Sequence, residues 1–389
     1  MGLGPLRALL PALRRHHGRR ARLPLARLIA TDGIWITELG SGPPGRRLAV
    51  KDLFDTAGIR TTYGSAVFAD HVPGESAPWL RQLEDAGWVN VGKTNLHEFA
   101  YGVTSQNLHY GVVPNPSFPG RTAGGSSGGS AAAIALGLAD GALGTDTGGS
   151  IRIPAACCGV TGFKPTYGLV PIDGVFPLAP TFDHAGPLAR NVAGCAELLG
   201  IETEPVSLGD LSLAVAWADR AEPLVRERVL AVRAQPVDFP TAENVSPAFM
   251  REVGDVHREL YPENAELYGE NVRGKIERCI ALDDAEYETA RRARTEHAER
   301  ALSVLEGFDL LVTPTMGFVA PSADVVEPEI RGAFTLFTFP FNALGWPALA
   351  LPAGPAEDGL PASIQVVGRP GDDALVLAAG LAIEAALKT

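Results

Sequence analysis

Short apolar runs alternate along the chain with segments that carry apolar residues at helical spacing. The predicted strands are apolar runs of strand length bounded by turn residues, at 47–50, 88–91, 211–216, 308–314 and 363–367. The predicted helices are amphipathic or charge-rich segments, at 76–86, 190–200, 223–235, 246–300 and 372–387. Strands that alternate with helices indicate the α/β class. We expect a large mixed, mostly parallel twisted sheet covered by helices on both faces.

One stretch imitates a phosphate-binding loop. Residues 87–94 match the pattern G-x-x-x-x-G-K-[ST]. Such a loop requires a strand before its first glycine and irregular backbone after it. Here a helix precedes Gly87, with Ser76 as its predicted N-cap, and the variable positions themselves have the pattern of a strand. The sequence therefore argues against phosphate binding.

Composition and charge narrow the class of protein. The chain has 389 residues and a formal charge of −12, from 33 basic and 45 acidic residues, which argues against nucleic acid or an anionic membrane as a partner. Its four cysteines are too few for a disulfide framework, and no run reaches transmembrane length. The first 30 residues are rich in Arg and free of acids, and we interpret them as a basic amphipathic helix. These features favour a cytoplasmic enzyme.

Residues 122–155 hold two serine clusters flanked by glycines. Ser126 lies in the first cluster and Ser150 in the second, with an apolar, Ala-rich, helix-favouring segment between them. Glycines allow positive φ angles and a close approach of ligand to backbone. Two such serines on one short segment indicate nucleophilic chemistry in a preorganised site rather than a flexible linker.

Two basic residues are candidates for the base that such a serine needs. Lys51 follows an apolar strand, and the local pattern fits equally well a buried functional lysine or a strand-end lysine paired with Asp52 or Asp55. His184 lies in a turn-rich block, where a lone histidine is more typical of a structural role.

Two further motif matches fail on their context. Residues 125–129 satisfy G-x-S-x-G, which would make Ser127 a nucleophile, but no hydrophobic strand precedes them. His97 and Glu98 begin an H-E-x-x-H pattern, but Tyr101 occupies the position of the second histidine. The sequence therefore predicts no metal site and no cofactor.

Together these segments resemble the amidase signature family. The matching motifs follow one another in the order of that family, at 49–52, 91–95, 124–130, 144–152, 162–166 and 313–315. The resemblance is strong over residues 47–190 and looser over 305–385. It implies one amidase-type domain over 1–389, with a catalytic core at 47–190, a variable substrate-pocket region at about 195–305, and a C-terminal sheet and helix at 306–389.

The resemblance implies a catalytic triad of two serines and a lysine. Ser150 is implied as the nucleophile, Ser126 as a bridging serine with a cis peptide bond, and Lys51 as the base. A serine hydroxyl needs such a base, and burial can lower a lysine pKa enough to supply one. The implied oxyanion-hole amides are those of Thr147, Gly148, Gly149 and Ser150. The implied supporting residues are Ser127, Asp146 and Arg152.

The implied function is hydrolysis of a small carboxylic amide to an acid and ammonia or an amine, through an acyl-serine intermediate. Two alternatives stay open: an esterase or carbamate hydrolase with the same triad, and the glutamine-hydrolysing A subunit of a tRNA-dependent amidotransferase. We expect a small-molecule amide as the partner, with a homodimer possible. Five aromatic residues near the C-terminus could line an acyl pocket or belong to the core: Phe334, Phe337, Phe339, Phe341 and Trp346.

Overall fold

A computed structural model describes residues 32–40 and 44–387 of the chain. The predicted N-terminal basic helix lies outside these residues. Within them the strands are β1 (Trp35–Glu38), β2 (Arg46–Lys51), β3 (Trp88–Thr94), β4 (Gln106–Asn107), β5 (Gly111–Val112), β6 (Gly141–Asp146), β7 (Thr161–Lys164), β8 (His184–Ala189), β9 (Leu213–Val215), β10 (Gln235–Pro236), β11 (Leu310–Pro314), β12 (Ala348–Pro355) and β13 (Pro361–Val367).

The helices of the described residues lie between these strands and after them. They are α1 (Pro78–Asp85), α2 (Gly128–Ala135), α3 (Arg152–Cys158), α4 (Val192–Leu199), α5 (Pro223–Leu230), α6 (Ser246–His257), α7 (Tyr261–Asn264), α8 (Glu270–Ile280), α9 (Asp284–Val304), α10 (Glu327–Thr335), α11 (Phe339–Leu344) and α12 (Asp373–Ala386).

Eleven of the strands form one mixed sheet in the order β1-β3-β2-β6-β8-β7-β12-β13-β11-β9-β10. This confirms the α/β class and the large mixed sheet, but the prediction that the sheet is mostly parallel was wrong. The antiparallel pairs outnumber the parallel ones and occupy the centre, from β6 to β11. The relative direction of neighbouring strands could not be inferred from the sequence, because a strand buried on both faces is a continuous apolar run whether its neighbours are parallel or antiparallel.

Helices cover both faces of the sheet. Leu48 and Val50 of β2 pack on one face in a cluster that includes residues of α1, α4, α5 and α12. Ala49, between them, packs on the opposite face with residues of α2 and α3. This alternation is the period of two expected for a strand with both faces buried.

The local predictions were confirmed in their main features. The predicted helix at 76–86 is α1, and Gly87 after it has the positive φ of 87° that favours glycine at a helix end. Ser76 is not its cap, because the Ser76 hydroxyl instead accepts a hydrogen bond from the amide of Ala57, at 3.0 Å. The stretch that imitates a phosphate-binding loop is strand β3.

The sheet brings the distant motifs together at one edge. β2 and β6 are parallel neighbours, so their carboxyl ends, at Lys51 and Asp146, lie at the same edge of the sheet. The loop 147–150 leaves β6 there, and α2 begins just after Ser126 and Ser127. Parallel pairing therefore places a lysine beside serines that lie 75 or more residues away in sequence.

The crossing of α6 and α8 has almost no free space. A Cβ atom added to Gly254 of α6 would lie 2.3 Å from the main-chain oxygen of Cys279 in α8. In the middle of α8, a Cβ added to Gly274 would meet no atom within 4 Å. Replacement by alanine should therefore have opposite effects on stability at the two glycines.

We expect Gly254→Ala to lower the free energy of unfolding by about 1–3 kcal/mol, because the two backbones must separate. Gly274→Ala should raise it by roughly 0.5–1 kcal/mol, because alanine favours the helix. Urea unfolding of both variants measures the difference. Equal effects of the two substitutions would contradict the close crossing.

Candidate active site

Lys51 ends β2 with its nitrogen enclosed by hydroxyl groups. The residue is fully buried, and its Nζ contacts the side-chain oxygens of Ser126 at 2.8 Å, Ser127 at 2.9 Å and Thr145 at 2.7 Å. Among the described residues no carboxylate forms an ion pair with it. Burial lowers the pKa of Lys51 well below its ordinary value, although the charges of Asp146 and Asp183 oppose the shift. The environment therefore favours the neutral amine, the form that accepts a proton.

Ser127 is turned toward the lysine and away from any space that a substrate could enter. It is fully buried, donates to the main-chain oxygen of Thr145 at 3.2 Å and accepts from the Thr145 amide at 3.3 Å. A hydroxyl held in this way helps to position Lys51 Nζ. The geometry speaks against Ser127 as a nucleophile.

Ser126 is joined to Lys51 through its side chain and to other segments through its backbone. The Gly125–Ser126 peptide bond is cis, as the resemblance implies, and the Ser126 main-chain oxygen accepts a hydrogen bond from the amide of His97, at 3.2 Å. The adjacent amide of Ser127 donates to the main-chain oxygen of Ser150, at 3.1 Å. Among the described residues no hydrogen bond links the two hydroxyls of Ser126 and Ser150. Hydrogen bonding therefore links Lys51 to Ser126 but does not continue from Ser126 to Ser150. A missing hydrogen bond of this kind can form when substrate binds.

The loop 147–150 borders a cavity. Thr147, Gly148 and Ser150 line this cavity, and their amides form no hydrogen bond within the described part of the chain. Gly149 differs, because its amide donates to Asp146 Oδ1 at 2.8 Å. Its Cα faces Thr338, whose hydroxyl oxygen would lie 2.3 Å from an added Cβ.

The Gly149 amide, one of the predicted oxyanion-hole donors, is thus engaged with Asp146 in this structure. The buried carboxylate of Asp146 needs hydrogen-bond donors and takes this amide. The amides of Thr147, Gly148 and Ser150 have no such partner among the described residues, and the oxyanion-hole role of all four amides stays a prediction.

A buried ion pair holds this loop. Arg152 and Asp146 are both fully buried and form two hydrogen bonds, Nη2 to Oδ1 at 2.8 Å and Nε to Oδ2 at 3.0 Å. The remaining guanidinium donors reach Asn342 at 2.6 Å, Gln365 at 2.7 Å and the main-chain oxygen of Thr338 at 3.0 Å. Burial alone would raise the pKa of the Asp146 carboxyl, but Arg152 and the amide of Asn342 hold it well below its usual range. Asp146 is therefore a carboxylate that organises the loop.

Asp183 was not among the predicted site residues. Its buried carboxylate accepts hydrogen bonds from the hydroxyl of Thr147 at 2.6 Å and from the amides of Leu178 and Ala179, at 2.9 and 3.1 Å. Leu178 and Thr147 both line the cavity, so Asp183 connects the loop 147–150 to a second segment of the cavity wall. Burial raises the pKa of Asp183, against the hydrogen bonds from Thr147 and the backbone. An acidic residue within an apolar, turn-rich block was the available signal.

His184, the alternative base, lies away from the serines. Its Nδ1 is 2.7 Å from the main-chain oxygen of Phe182 and 3.2 Å from that of Asp146. Burial lowers its pKa well below the ordinary value. It contacts neither Ser126 nor Ser150, which agrees with a structural role.

Ser150 opens into a cavity of about 300 Å³. Beyond the loop 147–150, its walls are the segment 100–103, the helices α6 and α8, and the residues Arg331, Thr335 and Phe339. Of the five aromatic residues considered above, only Phe339 lines the cavity; the other four belong to buried clusters in the described core.

Three cationic side chains line this cavity, and no carboxylate does so within the described residues. They are Lys275, Arg278 and Arg331. Lys275 Nζ donates to the main-chain oxygen of Tyr101 at 2.6 Å and is 3.1 Å from Glu327 Oε2. Burial and the charge of Arg331 lower the pKa of Lys275 to about 8. The cavity can therefore accept a substrate that carries a negative charge.

Two further properties concern the described residues as a set. No helix among them is both long enough and apolar enough to cross a membrane. They contain no group of three His, Cys, Asp or Glu side chains arranged to hold a metal ion.

Sequence relatives place this site in a family. The Amidase family matches residues 45–259 and 232–377 of the chain. The A subunit of the glutamyl-tRNA(Gln) amidotransferase of Haloarcula marismortui is 33% identical over 413 residues, covering 87% of this chain and 95% of that protein. AtzE, which is a 1-carboxybiuret hydrolase subunit of a Pseudomonas species, is 32% identical over 386 residues, covering 88% of this chain and 84% of that protein.

Solved structures give the same result. A crystal structure of an amidase superposes with a TM-score of 0.80 at 37% identity, covering 88% of this chain and 84% of that one. The A subunit of the Thermotoga maritima glutamyl-tRNA(Gln) amidotransferase superposes with a TM-score of 0.79 at 29% identity, covering 92% and 88%. By sequence, fold and motif order, the chain belongs to the amidase family, the amidase signature hydrolases.

Proposed function

We propose that the chain hydrolyses a small carboxylic amide to an acid and ammonia or an amine, through an acyl intermediate on Ser150. One observation carries the proposal: a fully buried lysine whose Nζ contacts only hydroxyl groups, one of them Ser126 Oγ at 2.8 Å. A lysine without a carboxylate partner can lose its proton and act as a base. Ser150 lines an open cavity, which supports its role as the residue that attacks the substrate carbonyl.

Acylation begins when Ser150 Oγ attacks the amide carbon. Its proton passes to Ser126 Oγ while the Ser126 proton passes to Lys51 Nζ. Ser126 therefore keeps one proton, and Ser150 exchanges its O–H bond for a bond to the acyl carbon. Negative charge develops on the carbonyl oxygen, which accepts hydrogen bonds from the amides of Thr147, Gly148 and Ser150. One donor of this kind is worth roughly 3–4 kcal/mol in the transition state.

The leaving group then departs with the proton that Lys51 received. The Lys51 ammonium returns a proton to Ser126, and Ser126 donates its own to the amine nitrogen as the C–N bond breaks. Water then attacks the acyl-Ser150 ester, and its proton passes through Ser126 to Lys51. Lys51 returns a proton through Ser126 to Ser150 Oγ as the ester C–O bond breaks, which releases the acid and restores the starting state. Ser127, Asp146 and Arg152 support the geometry, and no step requires a cofactor.

Esters and carbamates present the same carbonyl to the same groups and could be cleaved by the same steps. We assign the acyl pocket to the 300 Å³ cavity, whose α6 and α8 walls come from the variable region 195–305 of a single amidase-type domain.

A second candidate function is hydrolysis of glutamine as the A subunit of a tRNA-dependent amidotransferase. Two observations favour it: the 33% identity to the Haloarcula protein, and the three cations that line the cavity. The carboxylate of glutamine would be held by such cations, with its side-chain amide at Ser150. Ammonia release would then serve a partner protein.

Replacement of the nucleophile tests the main proposal. Ser150→Ala should lose amide hydrolysis by about 10⁴-fold or more while its circular dichroism and melting temperature stay those of the unmodified chain. Mass spectrometry of the chain quenched during turnover should show the acyl group on Ser150. A fully active Ser150→Ala variant would sink the assignment.

The pH profile tests the base. Lys51 must be neutral to accept a proton, so kcat/KM should fall about tenfold for each pH unit below the Lys51 pKa and level off above it. Asp183→Asn removes a negative charge that favours the ammonium, which lowers the Lys51 pKa further and moves the acid limb to lower pH.

Two controls accompany the pH profile. Lys51→Met should lose nearly all activity, whereas Lys164→Met removes another fully buried lysine and should lose far less. A rate that is flat from mildly acidic to alkaline pH, or equal losses in both lysine variants, would count against Lys51 as the base.

The glutamine hypothesis is tested by ammonia release from glutamine by the chain alone and with co-purified proteins. If glutamine is the substrate, Arg331→Gln should raise KM for glutamine by roughly 10- to 100-fold, the worth of a charge-assisted hydrogen bond. The loss should be smaller on a neutral amide of similar size. No ammonia from glutamine in either preparation would exclude this function.

A further inference from the structure

A second cavity adjoins the one that contains Ser150. It has a volume of about 340 Å³ and shares two lining residues with the first, Thr335 and Phe339. Its other walls include the apolar side chains of Ala242, Leu336 and Pro340. The two cavities are therefore neighbours, with the junction of α10 and α11 between them.

Phe339 forms the central part of this partition. A Cβ atom added to Gly148 would lie 3.7 Å from Phe339 Cδ2 and 4.0 Å from Thr335 Cγ2, so both side chains stand against the oxyanion loop. Gly148 is two residues from Ser150. The partition therefore lies close to Ser150, the residue at which a bound substrate would react.

The Phe339 ring is held on both sides. It stacks on Phe182 with ring centres 5.8 Å apart and an angle of 9° between planes, and it meets Phe249 edge-on at 6.1 Å and 85°. Its backbone neighbour Thr338 donates a hydrogen bond to the Gly148 main-chain oxygen at 2.7 Å. A ring held by these contacts limits the space that a substrate can occupy in the first cavity.

The far end of the second cavity is polar. Arg220 and Glu243 line it and are exposed, and Glu243 accepts a hydrogen bond from the Thr241 hydroxyl at 3.0 Å. An aliphatic chain that passed the partition would therefore run along apolar walls and emerge at charged groups near the surface.

We propose that Phe339 is the residue that sets the length limit of the substrate, and that the second cavity is an extension site for the aliphatic chain of a longer amide once the ring is removed. This inference rests on the proposed function. Each methylene transferred from water to an apolar wall favours binding about fourfold, so three or four methylenes in the second cavity amount to a gain of about 50- to 250-fold.

The test measures kcat/KM along two series, primary amides of straight-chain C2–C10 acids and N-alkyl acetamides with C2–C10 chains. The unmodified chain should lose rate beyond a limiting length. Phe339→Ala should gain at least tenfold on longer members of one series, relative to its rate on the shortest. The series that responds identifies which part of the substrate extends.

A second substitution separates the extension site from a general widening of the first cavity. Ala242 lines only the second cavity. Phe339→Ala/Ala242→Phe refills that space and should cancel the gain on long chains. A length profile that Phe339→Ala leaves within twofold in both series, or a gain that the double variant keeps, would overturn the proposal.

A binding measurement tests the length limit independently of catalysis. In the Ser150→Ala background, calorimetry of the same amides gives Kd against chain length with and without Phe339→Ala. If no amide is hydrolysed but Kd shows the shift in length, the proposed function fails and the length limit stands. If amides are hydrolysed through Ser150 and neither Kd nor kcat/KM shifts, the length limit fails alone.

Discussion

The buried pair of Arg152 and Asp146 is the contact on which the position of the loop 147–150 depends. Asp146 ends β6, and Arg152 begins α3, so the pair closes the loop that carries Ser150. Their remaining hydrogen bonds reach Asn342 in α11 and Gln365 in β13. A buried charge that loses its partner typically costs about 3–5 kcal/mol, so elements from the far end of the chain are tied to the position of one serine.

The sheet contains a natural comparison for the lysine. Lys51 and Lys93 lie on the adjacent strands β2 and β3, one residue apart in register, and both are fully buried. Lys93 has a carboxylate partner, Asp52, at 3.2 Å, and it also donates to Thr61. Lys51 has hydroxyls only. Burial lowers the pKa of both lysines, and for Lys93 the charge of Asp52 opposes the shift. The same residue type on two adjacent strands therefore serves structure at one position and suits proton transfer at the other.

Much of this arrangement could be predicted from the sequence, because its parts lie in short, dense motifs. Ser126 and Ser150 lie in glycine-flanked clusters that both the local pattern and the family resemblance single out. The local pattern at Lys51 left two interpretations open, and the resemblance chose between them. The α/β class follows from alternation alone. What could not be predicted depends on contacts between distant segments. Three features require knowing which elements become neighbours. They are the antiparallel centre of the sheet, the hydrogen bond from Thr147 to Asp183, and the hydrogen bond from the Gly149 amide to Asp146. Asn342 gave a partial signal, since a polar amide within an apolar run must find partners when buried.

The contacts also show why the chemistry and the choice of substrate can vary separately. The loop of Ser150 is fixed by β6, α3, α11 and β13, none of which lies in the region 195–305. That region supplies α6 and α8, which contribute walls of the cavity and pack on each other without hydrogen bonds to the loop 147–150. A change in α6 or α8 alters the shape and charge of the cavity while Ser150 stays in place. The junction of α10 and α11 is the exception, because Thr338 holds Gly148 and the next residue, Phe339, bounds the substrate. A substitution at residues 338–339 therefore affects both the choice of substrate and the position of the loop 147–150.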